Sequence, residues 1–238
     1  MNRLLALAAI LLGGCAATPS LLSGESEPGA LAALAAMESR LQYSPVLRID
    51  YSVSASGAVA ADLEGDLVLQ KPGKAALRSV GDFAGNETSL RMVSDGERLQ
   101  AQNLDRRVDI ETPVAVHEGL LLGLVRMGIL HNLAMLTSGA PPDATDGSEP
   151  FFAQPINVRW DPIRSTDSHR VLQFDLVVND QPAGEVALWI ATATGMPARR
   201  EQVVHFDNGD MQVVELYEIE LNGIIGPCRF DLAGVQAR

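Results

Sequence analysis

Four histidines, two cysteines and thirty acidic residues are the groups in this 238-residue chain that could do chemistry, and their spacing decides which chemistry is open. His117, His131, His169 and His205 each stand alone, with no second histidine or cysteine at a zinc-ligand interval such as H-x-x-x-H. Gly-x-Ser-x-Gly elbows, Walker loops and dinucleotide fingerprints are absent from the sequence. Asp62, Glu64 and Asp66 alternate as paired acids could, but their register fits the solvated outer face of a strand better. Tyr217 beside Glu215, Glu218 and Glu220 reads in the same way, as a charged strand exterior. Gly226-Pro227-Cys228-Arg229-Phe230 offers Cys228 no activating base, so a buried or idle thiol is expected there. The expectation is a protein that is not an enzyme and that needs no cofactor and no metal.

Cys15 is different. One positive charge at Arg3, the apolar run Leu4 to Leu12, and the small residues Gly13 and Gly14 make a secretory signal peptide. The run is too short to cross the ~30 Å hydrocarbon layer. Leu12-Gly13-Gly14-Cys15 resembles the bacterial lipobox, in which the cysteine sulfur receives a diacylglycerol and becomes the mature N-terminus. The alternative is an ordinary secretion signal with an incidental cysteine. With a thioether at Cys15, Cys228 has no partner in the chain, and stability must come from the core. The residue after Cys15 is Ala16 rather than the aspartate that retains lipoproteins in the inner membrane of enteric bacteria, which favours the outer membrane, facing the periplasm. The partners expected are the membrane, through this anchor, and no nucleic acid: loss of Arg3 leaves 17 basic residues against 30 acidic ones, and such a surface repels polyanions. Oligomeric state is left open.

The elements that must position these groups follow from periodicity. The sequence divides into a signal peptide at 1–14, a lipidated cysteine with a Ser/Pro/Gly-rich tether at 15–29, and a single domain at 30–238. Leu31, Leu34, Met37 and Leu41 on an alanine-rich background predict one amphipathic helix over Ala30–Leu41, ended by Ser44-Pro45. Beyond it the period becomes two: Leu63, Leu67 and Leu69 share one strand face, while Asp62, Glu64, Asp66 and Val68 share the wet one. Lys71-Pro72-Gly73-Lys74, Ser94-Asp95-Gly96-Glu97 and Asp207-Asn208-Gly209-Asp210 mark tight turns at hairpin spacing. About eleven antiparallel strands result, with a possible short twelfth over Arg229–Leu232. They fall in two series, parted by Val114–Leu136, a helical pattern apolar on nearly every side but interrupted by Gly123 and Gly128, where it can bend or break. Gly139 to Pro150 reads as an exposed loop.

Gly65-Asp66-Leu67-Val68-Leu69-Gln70-Lys71-Pro72, followed by Met92-Val93-Ser94-Asp95-Gly96-Glu97-Arg98-Leu99, resembles the bacterial lipoprotein-localisation carriers and receptors (LolA/LolB-like). About forty residues carry the likeness strongly. It implies an α+β, mainly β, unclosed half-barrel whose concave apolar face is covered by helices and receives an acyl chain, lipid or lipoprotein. On that basis Leu63, Leu67, Leu69 and Leu77 are expected to line the cavity from the sheet. Leu120, Leu124, Met127 and Leu130 would do so from the lid, and Lys71 stands where the carriers place a latching arginine. Ala75 and Leu77, and Gln100 and Gln102, stand in stretches where that family carries aromatic residues. The implied function is lipid or lipoprotein transport or sorting. The alternative is a non-catalytic scaffold subunit of an envelope complex, its cavity filled by its own Leu120–Leu136 segment.

Overall fold

The computed structural model describes residues 25–104, 106–138 and 153–233. A helix, α1 (Pro28–Tyr43), is followed by strands β1 (Val46–Gly57), β2 (Ala61–Gln70), β3 (Lys74–Phe83), β4 (Asn86–Asp95), β5 (Arg98–Asn103) and β6 (Arg106–Glu111). A central helical segment comes next: α2 (Val116–Leu122), a π-helical turn (Gly123–Met127) and α3 (Ile129–Ser138). The second series is β7 (Ala153–Asp161), β8 (His169–Val178), β9 (Gln181–Ala191), β10 (Pro197–Phe206) and β11 (Gly209–Leu221), after which Pro227–Phe230 forms a 3-10 turn.

All eleven strands form one antiparallel sheet in the order β6-β5-β4-β3-β2-β1-β11-β10-β9-β8-β7. Each series is a meander of hairpins, and the two are joined where β1 meets β11, from Leu47 opposite Leu221 to Gly57 opposite Met211. The sheet does not close, because β6 and β7 are its two ends. The β7 edge is partly occupied by the chain that precedes α1: the Glu27 amide donates to the Val158 carbonyl at 2.8 Å, and the Val158 amide donates to Ser26 Oγ at 3.0 Å.

The concave face and the helices share one continuous apolar core. Ile49, Val53, Leu63, Leu67, Leu69, Leu77 and Met92 point into it from the first series, and Leu172, Phe174, Leu188 and Val213 from the second. On the other side of β2, Asp62 and Glu64 face water as their register predicts. Val68 departs from that pattern. It is buried on the convex side with Ala76, under Phe230 and Ile225. The segment that covers it is the stretch expected to add a strand. Pro227 at its first position fixes φ for a 3-10 turn instead, and Arg229 pairs with Asp66. Cys228, expected to be buried or idle, is exposed there.

Candidate functional site

The concave face is filled by the central segment. Leu120, Leu121, Leu124, Val125, Met127, Ile129, Leu130, Leu133 and Leu136 are each no more than 8% exposed. A helix this apolar must be surrounded by protein, and here the sheet surrounds it. Where one helix over Val114–Leu136 would follow from the apolar pattern, the segment divides into three pieces, and the two glycines account for the division. Gly128 has φ +90°, and a Cβ there would lie 2.7 Å from both carboxylate oxygens of Glu215. At Gly123 a Cβ would lie 2.2 Å from Asn132 Oδ1, so its absence lets α3 fold back on α2. Asn132 then donates from Nδ2 to the Leu120 carbonyl at 2.8 Å, closing the hairpin inside the core.

Two buried charges hold this break to the sheet. Helix ends leave unsatisfied amides at the N-terminus and carbonyls at the C-terminus, with matching partial charge. Glu215, on β11, accepts the Ile129 amide on Oε2 at 3.0 Å and the Leu130 amide on Oε1 at 2.9 Å, at the start of α3. The Tyr217 hydroxyl also donates to Oε2. Arg200, on β10, donates from Nη1 to the Val125 carbonyl at 2.7 Å and from Nη2 to the Arg126 carbonyl at 2.5 Å, at the end of the π-helical turn. Its Nε donates to Gln202 Oε1 at 3.1 Å. An anion thus meets a helix start and a cation meets a helix end, and neither side chain has contact with solvent. Burial raises the Glu215 pKa, while the positive charge of Arg200 opposes the rise; burial likewise lowers that of Arg200 and raises that of Tyr217 well above 10. His131, on α3, is pushed down to about 4 by burial and then by the charge of Arg200, so it is neutral at physiological pH. On the outside, Arg126 reaches from the π-helical turn to Glu38 of α1, with paired bonds of 2.8 and 3.0 Å, and to the Ala153 carbonyl of β7 at 3.2 Å.

Of the residues expected to line a cavity, Leu63, Leu67, Leu69 and Leu77 are on the concave side of the sheet, and Leu120, Leu124, Met127 and Leu130 are in the segment that fills it. Lys71 is not among them. It lies exposed in the β2–β3 turn and donates to the Gln42 carbonyl, so it secures the C-terminus of α1 and not the central segment. The Ser94-Asp95-Gly96 motif has a local task at the same end of the sheet. Ser94 Oγ bonds the Gly73 carbonyl at 2.7 Å and Thr112 Oγ1 at 2.8 Å, and Asp95 accepts the amides of Glu97 and Arg98. Cys15 lies outside the described residues. Glu215 and Tyr217, expected on a charged exterior, are buried. They share the odd-numbered register of Met211 and Val213, whereas Glu218 faces out. A carboxylate in the apolar phase of an alternating strand was the signal that could have found Glu215. Arg200 carries no comparable mark.

No protein-family profile and no curated protein matches this chain. Solved structures do. LprF from Mycobacterium bovis is 10% identical over 85% of this chain and 97% of its own, with a TM-score of 0.42. A LolA superfamily protein from Nitrosomonas europaea is 11% identical over 86% and 98%, at 0.37. The Pseudomonas aeruginosa MucA/MucB complex matches at 9% identity and 0.41, and there this chain covers 85% of itself but only 60% of the matched chain. Among the described residues, no helix is long and apolar enough to cross a membrane, and no cluster of three or more His, Cys, Asp or Glu is placed to hold a metal ion.

Proposed function

We propose that this chain is a lipid-anchored envelope protein that takes an acyl chain, lipid or lipoprotein into the concave face of its half-barrel, by displacing the central segment. The observation that carries this reading is the uneven attachment of that segment. Apart from His117, whose Nε2 meets the Lys74 carbonyl of β3 at 2.8 Å, its polar ties to the strands gather at the break around Gly128, through Arg126, Arg200 and Glu215, while Leu120, Leu121, Leu124, Leu130 and Leu133 meet the sheet through apolar contact. Apolar contact is non-directional and scales with area, so methylene groups can replace leucine side chains on the same strands at similar free energy. Ten buried methylenes would be worth roughly 8 kcal/mol before ordering costs.

The test is uptake of a fluorescent fatty-acid probe by the delipidated protein, with mass spectrometry of whatever lipid copurifies. Saturable uptake that Leu124→Trp reduces, with the far-UV circular dichroism unchanged, is the expected result. Absence of both copurified lipid and uptake would favour a second reading, a non-catalytic scaffold in which the segment is a permanent part of the core. The completeness with which the chain fills its own concave face supports that alternative.

A further inference from the structure

The large apolar side chains that face water are not spread evenly. Tyr43, Val114, Ile163 and Ile224 are 80%, 106%, 93% and 102% exposed; Tyr43 is the last residue of α1, and the other three sit in connections, β6 to α2, β7 to β8, and the stretch after β11. Pairing within the sheet puts all four at one end, the end where β1, β3, β5, β8 and β10 begin. At the opposite end, Leu104 is the one exposed large apolar residue among the described connections, and Val80 and Leu216, 43% and 46% exposed, lie within β3 and β11. The α1 helix crosses the first end. Glu27 holds the Trp160 amide, Arg40 Nη1 donates to the Thr194 carbonyl at 2.6 Å, Ser44 Oγ meets Asn222 Oδ1 at 3.2 Å, and Lys71 reaches Gln42. Leu31 adds a half-exposed apolar side chain from the helix itself.

The chain also enters the fold here. Ser26 and Glu27 are bound to Val158 and Trp160, close to where β7 ends at Asp161. Cys15 is ten residues before Glu25, a distance that even a fully extended chain cannot stretch beyond about 35 Å. We propose that the end of the half-barrel crossed by α1 lies on the lipid surface, with Tyr43, Val114, Ile163 and Ile224 entering the headgroup layer. This rests on the reading of Cys15 as an acylated anchor, because the anchor fixes which end the membrane can reach. Both lysines, Lys71 and Lys74, are at this end, but so are Asp95, Glu97, Glu111 and Asp167. Charge is therefore mixed, and apolar insertion governs the contact, so it is insensitive to salt.

The experiment uses the full chain, expressed with its signal peptide, with Cys228→Ser and one of Ile163→Cys, Ile224→Cys or Leu104→Cys, each carrying an environment-sensitive fluorophore. The mature protein is reconstituted in vesicles of phosphatidylethanolamine and phosphatidylglycerol. Blue-shifted emission and quenching by spin-labelled lipid at 163 and 224, but not at 104, at both low and high salt, is the expected outcome. Equal responses at the three positions, or a response at 104 alone, would overturn the proposal. A label at 163 or 224 that is blue-shifted but beyond the reach of spin-labelled lipid would mean that another part of the chain or a second copy covers this end, which also overturns it. The mass of the mature N-terminal peptide reads the anchor separately. If it carries no acyl group, the anchor reading fails, and labels that then stay water-exposed on vesicle addition overturn the docking surface as well.

Discussion

Glu215 and Arg200 carry opposite charges into a place where neither meets water, and each is matched there by the end of a helix before it is matched by the other. Removing one leaves the second buried without compensation. Glu215→Leu should therefore lower stability by about 3–5 kcal/mol, and a double Arg200→Leu, Glu215→Leu variant should lose less than the sum of the Arg200→Leu and Glu215→Leu changes. Urea denaturation of the three variants measures both statements, and strict additivity would show that the two sites act independently. His131 gives a pH dependence of definite sign. Its folded pKa of about 4 lies below its ordinary 6.5, so the unfolded chain binds the extra proton between those values, and stability falls as pH drops through that window. The loss attributable to His131 approaches about 3 kcal/mol at pH 4, at 1.36 kcal/mol per pH unit. Glu215, whose pKa is raised, works in the opposite direction: its contribution is present below its ordinary 4.5 and is lost as pH rises. The two are separated by comparing the original with His131→Asn, whose stability should fall by one proton's slope less between pH 6.5 and 4. Identical slopes would place His131 in a solvated setting.

At the scale of elements, the central segment is distinguished by where it can yield. Gly128→Ala has to place a methyl group against the Glu215 carboxylate at a φ that L residues rarely adopt, so the start of α3 should detach while the strands persist. Amide hydrogen exchange should accelerate over 116–138 and stay slow in β1, β2 and β11. Uniform acceleration would mean that plug and sheet unfold together. The strand that faces the plug tests the other side of the contact. Leu67 is fully buried among Ile49, Leu77 and their neighbours, and Leu67→Asp should cost several kcal/mol, because an unpaired carboxylate would replace an apolar side chain. Asp66→Leu, one residue earlier, loses only a partly exposed pair with Arg229 and should stay within about 1 kcal/mol. Equal effects in chemical denaturation would refute the register.

For the molecule as a whole, the anchor proposed at Cys15 would determine what the half-barrel can meet. Cys15→Ser should leave the protein either unprocessed or released from membranes, as read by fractionation and by the mass of the N-terminal peptide. A variant that is processed and sediments like the original would remove the anchor from the account. The net charge of −12 disfavours electrostatic adsorption to an anionic bilayer, so on the proposed reading covalent lipid and exposed apolar residues would have to bring the protein there.

The sheet was legible because alternation is a local property. The turns marked by Lys71-Pro72-Gly73-Lys74, Ser94-Asp95-Gly96-Glu97 and Asp207-Asn208-Gly209-Asp210 do join β2 to β3, β4 to β5 and β10 to β11. The inward facing of Leu63, Leu67 and Leu69 on β2 was legible for the same reason, since a one-residue slip would have turned the strand inside out. What tertiary structure alone decided were the polar parts and the breaks. Lys71 stands where the family that the motifs resemble carries a latching arginine, but the carbonyl it reaches belongs to α1, which sequence spacing cannot reveal. Val68 sits in the wet register and is nevertheless dry, because Phe230 is folded over it from 162 residues away. Arg200 and Glu215 read as ordinary surface charges until the central segment is laid across their strands, which removes water and supplies helix ends as partners. A residue's own type and its near neighbours set its backbone period. Whether a charge is solvated, paired or buried depends on what covers it, and in this chain the covering segments arrive from distant parts of the sequence.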